Sequence, residues 1–106
     1  TALNSPGPIR SPEDEAYFRP LARRARPRTA LPIALVGGLR SREMMEDVLE
    51  SGEADFISLC RPLIREPDLP RRLREEGQEM ATCTSCNRCW PEGPGEGIAC
   101  RLSADG

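Results

Sequence analysis

The chain has 106 residues, a formal net charge of -2, 38% hydrophobic and 4% aromatic residues, so it holds one small domain and has no overall basic field for nucleic acid. Eleven prolines and nine glycines beside so thin an apolar fraction exclude a large self-sufficient core and call for a staple or a partner. No apolar run approaches a membrane span and the start is not signal-like, so a cytoplasmic protein is expected, with its cysteines as metal or cluster ligands rather than disulfides.

Residues 1–12, with three prolines and a glycine, read as a loop. Residues 13–26 read as a helix, acidic at its start (Glu13, Asp14, Glu15), basic at its end (Arg23, Arg24, Arg26), and kinked at Pro20. Residues 32–36 are a continuous apolar run ending in Gly37-Gly38, which suits a parallel strand buried on both faces. Ser41 caps the next helix, Glu43 lies in its first turn, Met44, Met45, Val48 and Leu49 form its stripe, and Gly52 ends it. Residues 55–59 read as a second buried strand, and Asp68 caps a last helix with Leu69 and Leu73 inward. From Gly77 onward the chain reads as loop. The alternation is α/β with a right-handed crossover between parallel strands. Two strands buried on both faces imply that neighbouring strands are missing from this chain, and a start at Thr1 suits a fragment or a processed product.

In α/β folds ligands bind at the carboxyl ends of strands. Gly37-Gly38 ends the first strand and Cys60-Arg61 the second, with Pro62 directly after. Glycines let backbone N–H groups approach an anion, and an arginine adds a charged fork to the same phosphate. The plainer readings are a tight turn and a solvated cap. Arg40 and Arg65 are expected on solvated surfaces.

The stretch Pro32-Ile-Ala-Leu-Val-Gly-Gly-Leu-Arg-Ser41, followed by Glu53-Ala-Asp-Phe-Ile-Ser-Leu-Cys-Arg-Pro-Leu-Ile-Arg-Glu-Pro-Asp-Leu-Pro-Arg-Arg-Leu73, resembles the end of the FMN-dependent old yellow enzyme family, the NADH:flavin oxidoreductases. The resemblance covers residues 13–100 and implies the seventh and eighth strands of a TIM-type (β/α)8 barrel, with residues 1–76 as its C-terminal part and 77–106 as a cysteine-rich tail. Carried across, the glycine pair Gly37 and Gly38 with Leu39 supplies amides to the FMN phosphate, Cys60 an amide, and Arg61 its guanidinium. Cys60 stands where many relatives have glycine, and its thiol is expected to be a small buried filler. The family's catalytic residues lie on earlier strands, so none is assigned here and the chain alone is not expected to turn over substrate. The implied chemistry of the whole enzyme is hydride transfer from NAD(P)H to FMN and on to a small-molecule acceptor, with no nucleic acid or membrane partner.

Cys83, Cys86, Cys89 and Cys100 admit three readings. They hold a [4Fe–4S] cluster, as the similar segment does in trimethylamine dehydrogenase and 2,4-dienoyl-CoA reductase, the long relatives of this family. They hold a structural zinc, although the second Cys-x-x-Cys pair of a zinc ribbon is missing. Or they are reduced and unligated. Trp90 would shield a cluster or simply pack. The rival to the oxidoreductase reading is a small four-cysteine metal-binding module without enzymatic activity.

Overall fold

Two short parallel strands, β1 (Ala34–Val36) and β2 (Phe56–Ser58), pair in the register Ala34↔Phe56, Leu35↔Ile57, Val36↔Ser58. The computed structural model describes residues 6–91, 93–95 and 97–101. Helix α1 (Arg19–Ala25) precedes β1, α2 (Arg42–Glu50) crosses over to β2, and α3 (Arg61–Arg65) and α4 (Leu69–Glu75) follow. A parallel pair cannot be closed by a tight turn, and α2 is the crossover this geometry needs. Among the described residues no helix is long and apolar enough to cross a membrane.

Helix α2 forms as its sequence dictates. The Ser41 hydroxyl accepts the Met44 N–H at 3.2 Å, Glu43 lies in the first turn, and Gly52 (φ 78°) follows the last turn. Met45 and Val48 face inward, whereas Leu49 stays 42% exposed, so the apolar stripe is narrower than its sequence suggests. The core gathers Leu35 from β1, Met45 and Val48 from α2, and Leu69 and Leu73 from α4. Val48 and Leu69 are fully buried, and each contributes about 1.5–3 kcal/mol of apolar transfer.

The sheet is covered on one face only. Leu35 is buried, but Ala34, Val36, Phe56 and Ser58 are exposed, Phe56 to 60% and Val36 to 45%. This corrects the expectation of strands buried on both faces. The continuous apolar runs are real, yet the described chain has helices for one side of a pleat and nothing for the other.

The N-terminal region is also built differently. The helix expected over residues 13–26 is three pieces: a 3-10 turn at Pro12–Asp14, a left-handed residue at Ala16 (φ 51°), and α1, itself followed by a 3-10 turn at Arg26–Arg28. Pro20 does not kink a long helix. It sits in the first turn of α1, where its missing N–H costs nothing. Glu15, left outside any helix, is buried for a different purpose. Helix α3 is absent from the sequence reading, because Arg61-Pro62 looks like an exit from a strand and is equally a helix start.

The tail lies against the α/β unit. Residues 79–81 run antiparallel to 40–42, with Arg42 N–H to Glu79 O at 2.8 Å and Ala81 N–H to Arg40 O at 2.8 Å, and a bridge pairs Ser41 with Met80. Arg40 and Arg65, expected on solvated surfaces, hold this tail instead: Arg40 Nε donates to Ala81 O, and Arg65 donates to Thr82 Oγ1 and Cys100 Sγ. Buried Glu66 accepts from the Thr82 N–H (2.6 Å), the Thr82 hydroxyl and Gln78 Nε2.

Candidate functional site

Because the strands are parallel and adjacent, their carboxyl ends open on one side. Gly37, Gly38 and Leu39 after β1 line a cavity of about 260 Å³ together with Cys60 and Arg61 after β2. The structure therefore brings all five residues singled out in the sequence to one place. Gly37 (φ 115°) and Gly38 (φ 68°) take backbone conformations that a side chain resists. A Cβ at Gly38 would stand 2.5 Å from the Tyr17 ring, so the absence of a side chain lets Tyr17 lie against the turn.

Tyr17 is the residue the sequence reading missed. It falls within the helix expected over residues 13–26, but it precedes α1, and its hydroxyl accepts a hydrogen bond from Arg61 Nη2 at 2.7 Å. The other terminal nitrogen, Arg61 Nη1, donates to Asn87 Oδ1. Both partners are neutral, and no carboxylate among the described residues pairs with Arg61. The guanidinium keeps its full charge while being held on two sides. Outside the helices and the strand ladder, no hydrogen bond among the described residues takes the N–H of Gly37, Gly38, Leu39 or Cys60. Trp90 also lines the cavity, and its buried indole N–H has no partner among the described residues. Unengaged donors and an unpaired cation around one cavity are what an anion requires.

The backbone leading into α2 is not part of this donor set. The Glu15 carboxylate takes the N–H groups of Arg40 (2.8 Å) and Ser41 (2.6 Å) and the Ser41 hydroxyl (2.9 Å). Cys60, expected as a buried filler, is exposed. It stands at the N-cap of α3.

Cys83, Cys86, Cys89 and Cys100 line one small cavity of about 20 Å³, with Arg61 and Arg101 beside them. All four are free thiols. Burial pushes the Cys83 thiol up, against the Ser85 N–H and the charge of Arg61. At Cys86 burial acts the same way, but the Arg88 N–H and side chain outweigh it and bring the thiol below its ordinary value. Among the described residues no group of three or more His, Cys, Asp or Glu side chains stands close enough to hold a metal ion. The thiols converge without meeting around one point. Four zinc thiolates must each lie about 2.3 Å from the metal, and this arrangement does not provide that. Nothing supports a metal-binding module standing apart from the α/β unit, because Ile9 N–H to Thr84 O, Arg65 and Glu66 all bind the cysteine segment to it.

The relatives are redox enzymes. The chain is 32% identical over 80 residues to a 4,4'-dithiodibutanoate disulfide reductase of Rhodococcus erythropolis, covering 76% of this chain and 20% of that protein. It is 38% identical over 58 residues to an NADH oxidase of Thermoanaerobacter brockii, covering 54% of this chain and 9% of that protein. It is 40% identical over 60 residues to an NADH-dependent flavin oxidoreductase of Talaromyces variabilis, covering 56% of this chain and 14% of that protein. No protein-family model matches the chain, and no solved structure matches it. These relatives match the old yellow enzyme-like family of NADH:flavin oxidoreductases, and the chain resembles them at modest identity over part of its length. It spans a fifth or less of the length of these curated relatives.

Proposed function

We propose that this chain supplies the FMN phosphate site of an NADH-dependent flavin oxidoreductase, as the last two strands of a (β/α)8 barrel that further strands complete. One observation carries the reading: Arg61, held among the described residues by neutral Tyr17 and Asn87, lines the same cavity as Gly37, Gly38 and Leu39, whose N–H groups no described residue takes outside the strand ladder. A phosphate dianion accepts from backbone N–H groups and takes a charge-assisted bond from the guanidinium. Cys60 adds an amide from the second strand end. The exposed apolar face of Ala34, Val36 and Phe56 supports the barrel, since an interior needs such a face and an isolated sheet does not.

FMN, when bound, supplies the electron-transfer chemistry, with NADH as donor and a small molecule as acceptor. The residues of this chain bind and orient: Arg61 fixes the phosphate, the glycines permit close approach, and Tyr17 and Asn87 hold the guanidinium in place. No residue of this chain touches the reacting atoms in this reading, and no step passes through the four cysteines. The absorbance spectrum of the native protein, with identification of the flavin released on denaturation, tests the assignment. FMN supports it; FAD alone, or no flavin, contradicts it.

A further inference from the structure

Arg61 lines two cavities at once, the one at the strand ends and the small one among the cysteines. A cation between a phosphate site and a set of thiols has two places to go. Its position is set by two bonds, one from each terminal nitrogen, to Tyr17 and to Asn87. Asn87 lies between Cys86 and Cys89 and has φ 66°, a left-handed conformation in which asparagine is enriched among the residues with side chains. Strained backbone of this kind persists where the surroundings over-determine it, and here it coincides with a side-chain bond to a functional guanidinium. The chemistry of the amide matters too. A carboxylate at this position would hold Arg61 and also neutralise it, whereas an amide oxygen holds it and leaves the charge for a ligand.

We propose that Asn87 is a positioning residue, through which the cysteine loop holds the Arg61 guanidinium at the anion cavity and so sets its affinity for phosphate. The inference rests on the reading of that cavity as the FMN phosphate site. Riboflavin, which lacks the phosphate, separates this role from a merely structural one.

The test measures FMN and riboflavin affinity on the native protein with Asn87→Gly, Asn87→Asp and Arg61→Ala. Asn87→Gly keeps the left-handed backbone at no steric cost and removes the acceptor. It is expected to weaken FMN about tenfold, the scale of one lost bond to a charged group, and to leave riboflavin unchanged. Asn87→Asp keeps the shape and the acceptor but pairs with the guanidinium, so it too weakens FMN and spares riboflavin; it decides the matter should Asn87→Gly fail to fold. Added to Arg61→Ala, Asn87→Gly should cause no further loss. Equal loss of FMN and riboflavin, or FMN binding unchanged in both Asn87 variants while Arg61→Ala weakens it, overturns the inference and leaves the phosphate site standing. FMN unchanged in Arg61→Ala overturns the phosphate site itself.

Discussion

Glu15 closes on Ser41: its carboxylate accepts both the Ser41 N–H at 2.6 Å and the Ser41 hydroxyl at 2.9 Å, from a residue only 7% exposed. The start of α2, a natural anion site, is therefore filled from within the chain. The proposed phosphate site therefore rests on Gly37–Leu39, whose N–H groups no hydrogen bond among the described residues takes outside the strand ladder.

Glu15→Gln tests this arrangement. The amide NH₂ cannot accept, so one of three bonds is lost in a buried setting, and stability should fall by about 1–3 kcal/mol. Urea denaturation measures it. An unchanged midpoint would show that the carboxylate is not engaged as described.

Gly38→Ala and Gly52→Ala separate backbone strain from contact. Both positions have positive φ, 68° and 78°, and each alanine meets a left-handed cost of about 1–2 kcal/mol. Only at Gly38 does the new Cβ meet a ring, whereas at Gly52 nothing lies within 4 Å. Gly38→Ala should be the more destabilising variant and should also lower FMN affinity by displacing Tyr17 from Arg61. Equal destabilisation and unaltered flavin binding would contradict the packing of Tyr17 on the turn.

Glu66 makes the attachment of the cysteine segment pH-dependent. Burial alone raises its carboxyl, but the bonds from Thr82 and Gln78 and the charge of Arg72 bring it below the ordinary value. A depressed folded value means stabilisation that is fully present above the unfolded value of about 4.3 and is lost as pH falls through the lowered one. Wild type should exceed Glu66→Gln by about 1–3 kcal/mol at neutral pH, with the gap closing in acid. A gap that persists to the lowest pH would mean the carboxylate charge is not what holds Thr82.

The cysteine arrangement predicts no stoichiometric zinc in the native protein, because the thiols surround a cavity rather than one tetrahedral point. Elemental analysis, with acid-labile sulfide determined alongside, checks this. One zinc per chain would contradict the geometry described, and iron with equimolar sulfide would mean that the loop opens around a cluster.

The strand ends and α2 were legible in the sequence because local signals and tertiary demands agree there. Apolar runs closed by Gly37-Gly38 and by Cys60-Arg61 read directly as strand termini, and Ser41 with Gly52 bracketed the helix. The N-terminal region was not legible, because Glu13, Asp14 and Glu15 mimic a charged helix start while Glu15 in fact reaches 26 residues onward to Ser41. The roles of Tyr17 and Asn87 depend on bonds to Arg61 across 44 and 26 residues, and no spacing rule reports such pairs. Arg40 and Arg65 misled for the same reason: an arginine in a polar stretch looks solvated until the partner carbonyl or sulfur is placed beside it.

The central claim is that Arg61 grips the phosphate of a flavin nucleotide. The most direct measurement is the dissociation constant of FMN for the native protein and for its Arg61→Ala variant under the same salt conditions. Losing a charge-assisted bond should raise the constant about tenfold or more. An FMN affinity equal to that of the unaltered protein would contradict the account.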